Sequence, residues 1–387
     1  MRLVVIVCLT ILGLLAMSPA AWAQDAAAGF VTKARQAYLV ESKTGTVLLA
    51  TNENQAFPPA SLAKLMTMEV VFSALKRGDI SGDTLFPVSE HAWRTGGAPS
   101  GTTTMFAALN SQIRVDDLIR GVVIQNANDA CIILAEGISG SEGEFAARMT
   151  ARANDLGLER STFGNATGLP DAQSFTTARD LVELARQIHR EYPEYYGLYS
   201  QPDFEWNKIF QRNKNPLLAL NMGVDGLGAG FAEGAGYALT ASVERNGTRV
   251  FLALGGLESD KERREEARRI LEWGLSSFET KVLFKPGEVV GQASVYGGET
   301  RYVDLIAREP IDIYLPVDNP ERLTGRIVYS WPLRAPVSEG QQIGKLRIFS
   351  GERLVREVEL VTAHSVGTGS LVSQATDALL ELVFFWL

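Results

Sequence analysis

Two residues three apart, Ser61 and Lys64, stand in the string Ser61-Leu62-Ala63-Lys64 and could together carry nucleophilic chemistry. A serine hydroxyl attacks a carbonyl only when something takes its proton, and a lysine amine can do so where burial lowers its pKa. Three residues along a helix put both side chains on one face, within hydrogen-bonding reach. The pattern is cheap, because Ser73-Ala74-Leu75-Lys76 repeats it, so context must choose. Ser61 follows Pro58-Pro59-Ala60 and opens an apolar run. There, unpaired backbone N–H groups and the positive helix end favour a developing anion. Ser73 stands near the far end of the same run, just before Gly78, where the dipole has the wrong sign. An N-cap serine followed by a lysine snorkelling to the surface gives the same spacing, so the motif alone leaves both readings open.

Later segments narrow the choice. Ile124-Gln125-Asn126-Ala127-Asn128-Asp129-Ala130 lies between two helical runs, and it is followed by Thr162-Phe163-Gly164-Asn165-Ala166-Thr167-Gly168-Leu169-Pro170-Asp171. Then come Thr177-Ala178-Arg179-Asp180-Leu181 and Gly223-Val224-Asp225-Gly226-Leu227. In this order the strings resemble the D-alanyl-D-alanine carboxypeptidases, the low-molecular-mass penicillin-binding proteins that trim peptidoglycan stem peptides. The resemblance runs from about Ala37 to the C-terminus. It implies that Ser61 is the acyl-enzyme nucleophile, Lys64 its general base, and Asn128 a donor to the substrate backbone. It also implies an oxyanion hole made of the backbone N–H groups of Ser61 and Phe231, β-lactams as covalent inhibitors, and no cofactor.

The chain departs from the family pattern at several points. Asn126 stands where the family's Ser-x-Asn element has its serine, and an amide cannot relay a proton as a hydroxyl does. Where Lys-Thr-Gly is expected in the substrate-binding strand, the chain has Gly228-Ala229-Gly230. Lys214 and Leu257 occupy the places of two arginines that help hold the substrate carboxylate in relatives. Each lost electrostatic contact of this kind can cost roughly 10²–10³ in rate. The expectation is a carboxypeptidase with reduced or shifted activity, or a non-catalytic relative that binds peptidoglycan or a partner. A β-lactamase fits less well, because the β-rich tail and terminal helix match the carboxypeptidases.

The elements that must position these groups are legible in outline. From Gln24 to about Glu279, strand-like runs such as Ala37 to Val47 alternate with apolar helices, including Ser61 to Lys76 and Val115 to Glu136, and a charged helix spans Asp260 to Trp273. The resemblance implies a mixed α/β, transpeptidase-like fold with an antiparallel sheet flanked by helices. After Lys285-Pro286-Gly287 come β-rich runs: Val289 to Tyr296, Tyr302 to Ala307, Ile311 to Val317, Leu323 to Trp331, Ile343 to Phe349 and Leu354 to Val361. The expected organisation is a signal peptide at 1–23, a peptidase domain at 24–279, an all-β domain at 280–363 and an amphipathic anchoring segment at 364–387. Arg2, the apolar run from Leu3 to Met17 and Ala21-Trp22-Ala23 fit an export signal cleaved before Gln24. Ser370 to Leu387 places Ser370, Gln374, Asp377 and Glu381 on one helical side and ends in Val-Phe-Phe-Trp-Leu, which suits a helix on the periplasmic face of the inner membrane.

Composition excludes other classes. Losing Arg2 with the signal takes the net charge of −8 to −9, which disfavours nucleic acid as a partner. Three histidines, and one cysteine left after cleavage, Cys131, supply zinc chemistry poorly, so no metal is expected. The glycine-rich run at 226–236 lacks the Gly-x-Gly-x-x-Gly spacing, because Glu233 holds its last glycine position.

Overall fold

The computed structural model describes residues 30–318, 322–330 and 333–371. The expected signal peptide and nearly all of the expected terminal helix lie outside these residues. Among the described residues, no helix is long and apolar enough to cross a membrane.

Five strands form one antiparallel sheet in the order Val47–Thr51, Gln36–Glu41, Thr248–Leu257, Gly236–Arg245, Val224–Ala232. Strand residues alternate between faces, and both faces here are covered. Tyr38, Val40, Phe251 and Ala253 enter one core, built with the helices Ala63–Arg77, Asn128–Ser139 and Ala178–Glu191. Leu39, Leu252 and Leu254 enter a second core beneath the helix Asp260–Ser276. That double covering explains why the central strand reads as a continuous apolar run rather than an alternating one.

Two expected elements are broken in the structure. The run Ala37 to Val47 is two strands separated by a turn, because Gly45 takes a left-handed φ of 70°. The run Val115 to Glu136 is two helices, Val115–Val123 and Asn128–Ser139. Between them Asn126 adopts a φ of 63°, a conformation asparagine tolerates better than most residues. The interruption leaves Asn126 lining the same cavity as Gly228 on the edge strand of the sheet.

The helix Asp260–Ser276 feeds the strand Phe278–Phe284, which spans residue 280 and pairs with Ile311–Pro316. A six-stranded sheet completes the C-terminal β domain. The domain is tied back through the Lys43–Asp312 ion pair and through Arg356, which donates to the Thr44 carbonyl at 2.6 Å. The Tyr314 hydroxyl also donates to the Gly274 carbonyl at 2.9 Å.

One buried ion pair fixes the nucleophile-bearing helix. Glu69, with no exposed surface, accepts from Arg152 Nε at 3.0 Å, Arg152 Nη2 at 2.7 Å and the Tyr192 hydroxyl at 3.1 Å. Three segments are thereby locked together. Removing Arg152 leaves a carboxylate buried without its counter-charge, so Arg152→Ala should lower stability by about 3 kcal/mol. Urea unfolding followed by circular dichroism measures this, and a loss under about 1 kcal/mol, typical of exposed pairs, would contradict the locking role.

Candidate active site

Ser61 lies in a short 3-10 turn, Ala60–Leu62, that runs directly into the helix Ala63–Arg77. The turn is entered through Ala60 at a φ of 48°, a left-handed conformation that costs an alanine free energy and persists only where neighbours fix it. Gly168 is one such neighbour. A Cβ on Gly168 would stand 1.8 Å from the Ala60 carbonyl oxygen, so only glycine permits this approach. On the other side Gly230 comes so near that a Cβ there would stand 3.3 Å from Ser61 N. The edge strand and the serine turn therefore bring backbone groups to one place.

Lys64 is buried, and its ammonium donates to Ser61 Oγ at 3.4 Å and to the Thr167 carbonyl at 2.7 Å. The serine contact is long for a hydrogen bond, as catalytic contacts often are before substrate tightens them. Burial holds the Lys64 pKa below the ordinary lysine value, because the charged form loses water it cannot fully replace. The neutral amine, the form that accepts a proton, is correspondingly favoured.

The Thr167 carbonyl is delivered by a turn that Asn165 organises. Asn165 Oδ1 accepts from the Thr167 N–H at 3.1 Å, the Thr167 hydroxyl at 2.9 Å and the Gly168 N–H at 2.7 Å. The turn is anchored to the nucleophile helix by the Thr67 hydroxyl, which donates to the Ala166 carbonyl at 2.6 Å. Nothing in sequence spacing pointed to Thr167, because the functional atom belongs to the backbone.

Ser61 and Lys64 open onto a cavity of about 310 Å³. Asn126 and the strand residues Gly228, Ala229, Gly230 and Phe231 also line it. Phe231 is 56% exposed and its ring lies 4.6 Å from that of Tyr237. Asn128 is not among the lining residues. Its Nδ2 donates to Thr102 Oγ1 at 3.0 Å, and its Oδ1 is buried without a partner. The second Ser-x-x-Lys pair lies elsewhere: Ser73 accepts from Arg77 and Lys76 pairs with Glu191. None of the three histidines lines the cavity.

Three polar side chains from outside the strand also line the cavity. Lys214 lines the cavity, and Asn215 beside it has an unpartnered buried Nδ2. Leu257 is core, but Arg263 arrives from the helix Asp260–Ser276. It donates to the Gly230 carbonyl at 3.0 Å and the Ala238 carbonyl at 3.2 Å. Sequence pattern does not single out Arg263, since a charged helix offers several arginines and only packing selects one. Among the described residues, no cluster of acidic, histidine and cysteine side chains could hold a metal ion.

A serine with a desolvated lysine base, set beside the edge strand of an antiparallel sheet, has the makings of a serine acyl-transfer site of the penicillin-recognising kind. Residues 23–256 match the family described as D-alanyl-D-alanine carboxypeptidase, and residues 278–368 match the penicillin-binding protein 5 C-terminal domain. The chain belongs to the D-alanyl-D-alanine carboxypeptidase family. It is 34% identical to the carboxypeptidase DacD of Salmonella typhimurium over 342 residues, covering 88% of each chain. It is 33% identical to DacC of Escherichia coli over 356 residues, covering 91% of this chain and 89% of that protein. Among solved structures, penicillin-binding protein 5 from Haemophilus influenzae superposes with a TM-score of 0.78 at 34% identity, covering 88% of this chain and 99% of that one. Penicillin-binding protein 6B from Escherichia coli gives 0.71 at 31% identity, covering 88% and 98%.

If Asn165 sets the position of the Lys64 partner, Asn165→Ala should slow acylation of Ser61 by a penicillin on the order of 10²-fold, as misplacement of about 1 Å does. Asn165→Asp, which keeps the acceptor oxygen, should lose much less. Stopped-flow labelling of both folded variants measures this, and equal losses would show that the turn geometry does not act through that oxygen.

Proposed function

We propose that the protein is a serine-type D-alanyl-D-alanine carboxypeptidase acting on peptidoglycan stem peptides, with reduced turnover of the D-alanine-terminated substrate. The observation that carries this reading is Lys64: buried, lowered in pKa, and directed at Ser61. In the reaction, Lys64 takes the Ser61 hydroxyl proton as Oγ attacks the penultimate D-alanine carbonyl. The oxyanion is bound by the Ser61 and Phe231 N–H groups. The amide C–N bond then breaks, the proton passes to the departing D-alanine amine, and water hydrolyses the serine ester to release the shortened peptide and restore the hydroxyl.

The reduced turnover rests on Gly228 and Ala229, which offer no side-chain donor to the substrate carboxylate. Orientation of that group can supply several kcal/mol of the barrier. A binding role without turnover is the second reading, and the same two residues favour it. Asn126, which lines the cavity, is taken as an amide donor to the bound peptide, whereas Asn128, whose amide donates to Thr102, acts by holding the loop at Thr102. We also propose export with loss of residues 1–23, and attachment of the C-terminal segment to the periplasmic face of the inner membrane. Asp377 and Glu381, the only charges from Ser370 to Leu387, leave that attachment to apolar contact.

The direct test is labelling with a fluorescent penicillin followed by mass spectrometry. Stoichiometric label on Ser61, lost in Ser61→Ala, is expected. Label that persists in the variant or maps to Ser73 would sink the assignment, and a wild type that takes no label would favour the binding role. For the strand, Gly228 has an ordinary backbone conformation, and a Cβ there would meet only Leu62 Cδ2, at 3.9 Å. Gly228→Lys/Ala229→Thr should therefore fold, and should raise D-alanine release at least about 10-fold more than it raises hydrolysis of a substrate without the free carboxylate. A brisk wild type that gains nothing would contradict the claim. For attachment, the full chain should stay in the membrane fraction through a high-salt wash while a chain ending at 369 becomes soluble. Release of the full chain by salt would refute apolar anchoring.

A further inference from the structure

Gly228 leaves a space that the rest of the cavity has not closed. Its backbone is in an ordinary strand conformation, within Val224–Ala232, and an added Cβ would touch nothing nearer than Leu62 Cδ2 at 3.9 Å. The walls of the cavity beneath it are Leu62, Leu65, Met68, Val122, Val123 and Leu227. All six belong to the main hydrophobic core and are almost wholly buried. Their apolar surfaces therefore floor a chamber that opens on the same space as Ser61.

The rim differs from the floor. Lys214 carries an ammonium with no ion-pair partner among the described residues, and Asn215 Nδ2 is a buried donor without an acceptor. Buried donors of this kind normally have partners, so a vacant one at a cavity wall points to a ligand acceptor. The whole cleft, with the space over Ser61 included, has a volume of about 310 Å³, at the small end for ligand pockets, so the part under Gly228 has room for one side chain rather than a stretch of polymer. An apolar floor with cationic and amide donors at its mouth matches one chemical class: an α-amino acid with a large apolar side chain and a free carboxylate.

We propose that the chamber under Gly228 is a side-chain pocket for the leaving residue, and that the enzyme prefers a terminal D-amino acid with an apolar side chain larger than methyl. This rests on the acyl-enzyme reading of Ser61. The carboxylate sits at the Lys214 and Asn215 rim, and the side chain enters the floor between Leu62 and Val123. Alanine leaves the chamber unfilled and gains none of its apolar contact. A charged side chain such as that of lysine meets no carboxylate among the lining residues, which costs it free energy. The loss of the triad lysine thus has two consequences, a missing charge and a new space, and they change specificity in different ways.

The test uses the full chain with acyl-D-alanyl-D-Xaa peptides in which Xaa is alanine, leucine, methionine or lysine, all with free carboxylates. Release of the terminal D-amino acid is followed by chromatography. Each buried carbon in a matched pocket discriminates appreciably, so kcat/KM for D-leucine and D-methionine should exceed that for D-alanine by at least about 10-fold, with D-lysine rejected. Gly228→Val fills the chamber and should bring the leucine-to-alanine ratio to about one or below. Gly228→Ala, whose added carbon sits at ordinary contact distance, should lower the ratio part-way and guards against misfolding of the larger variant. A wild type that is labelled by penicillin at Ser61 yet shows no preference for the larger residues overturns the pocket alone. So does a preference unchanged in both folded variants. A wild type that neither labels nor releases any D-amino acid overturns the acyl-enzyme reading together with the pocket.

Discussion

Burial of Lys64 is the constraint on which the rest of the site depends. An ammonium cut off from water must be given an acceptor or give up its proton. The structure does part of each: the Thr167 carbonyl takes one bond at 2.7 Å, and burial still lowers the pKa. From that requirement follow the Asn165 turn that presents the carbonyl, the glycine at 168 that lets the turn press on Ala60, and the left-handed Ala60 that tilts Ser61 toward the amine. The buried Glu69–Arg152 pair then holds the helix that carries Lys64. A chain of local constraints ends at one hydroxyl.

The two halves of the cavity obey different rules. On the nucleophile side Lys64, Thr67 and Asn165 each have defined partners, and little can change without loss. On the leaving-group side the edge strand offers backbone alone at 228–230, and side-chain charge arrives from elsewhere, through Lys214 and Arg263. Arg263 is committed to the Gly230 and Ala238 carbonyls, and burial lowers its pKa, so it serves chiefly to hold the strand. Lys214 is exposed and has no such commitment. The cavity thus keeps a serine–lysine pair on one side, while on the other the edge strand offers no side-chain donor at 228–230.

Most of the fold was legible because its signals are local. The helix from Ala63 opens after a proline pair and closes at Gly78 in a left-handed cap, and each β-run after Gly287 contains a strand. Errors arose where one residue's backbone overrides a pattern: Gly45 splits a strand and Asn126 splits a helix. In the site, Ser61 and Lys64 could be read because helical spacing relates them. Thr167 could not, since its contribution is a carbonyl placed by a turn far along the chain. Lys214 was counted as a lost arginine, although its position still brings a cation to the cavity. Asn128 was expected to face substrate from a motif alone, whereas the helix start at that residue turns its amide toward Thr102.

The central claim, that burial prepares Lys64 to accept the Ser61 proton, is tested most directly by titrating that one amine. In protein labelled with ¹³C,¹⁵N-lysine, the Lys64 side-chain resonance can be assigned by its loss in Lys64→Arg and followed with pH by nuclear magnetic resonance. Because the charged form is the one burial penalises, the midpoint should fall below the ordinary value of 10.5, with the neutral amine gaining population as pH rises through that lowered midpoint. A Lys64 that titrates at 10.5 or above would mean that the Thr167 carbonyl stabilises the ammonium more than burial penalises it, and the account of the base would be wrong.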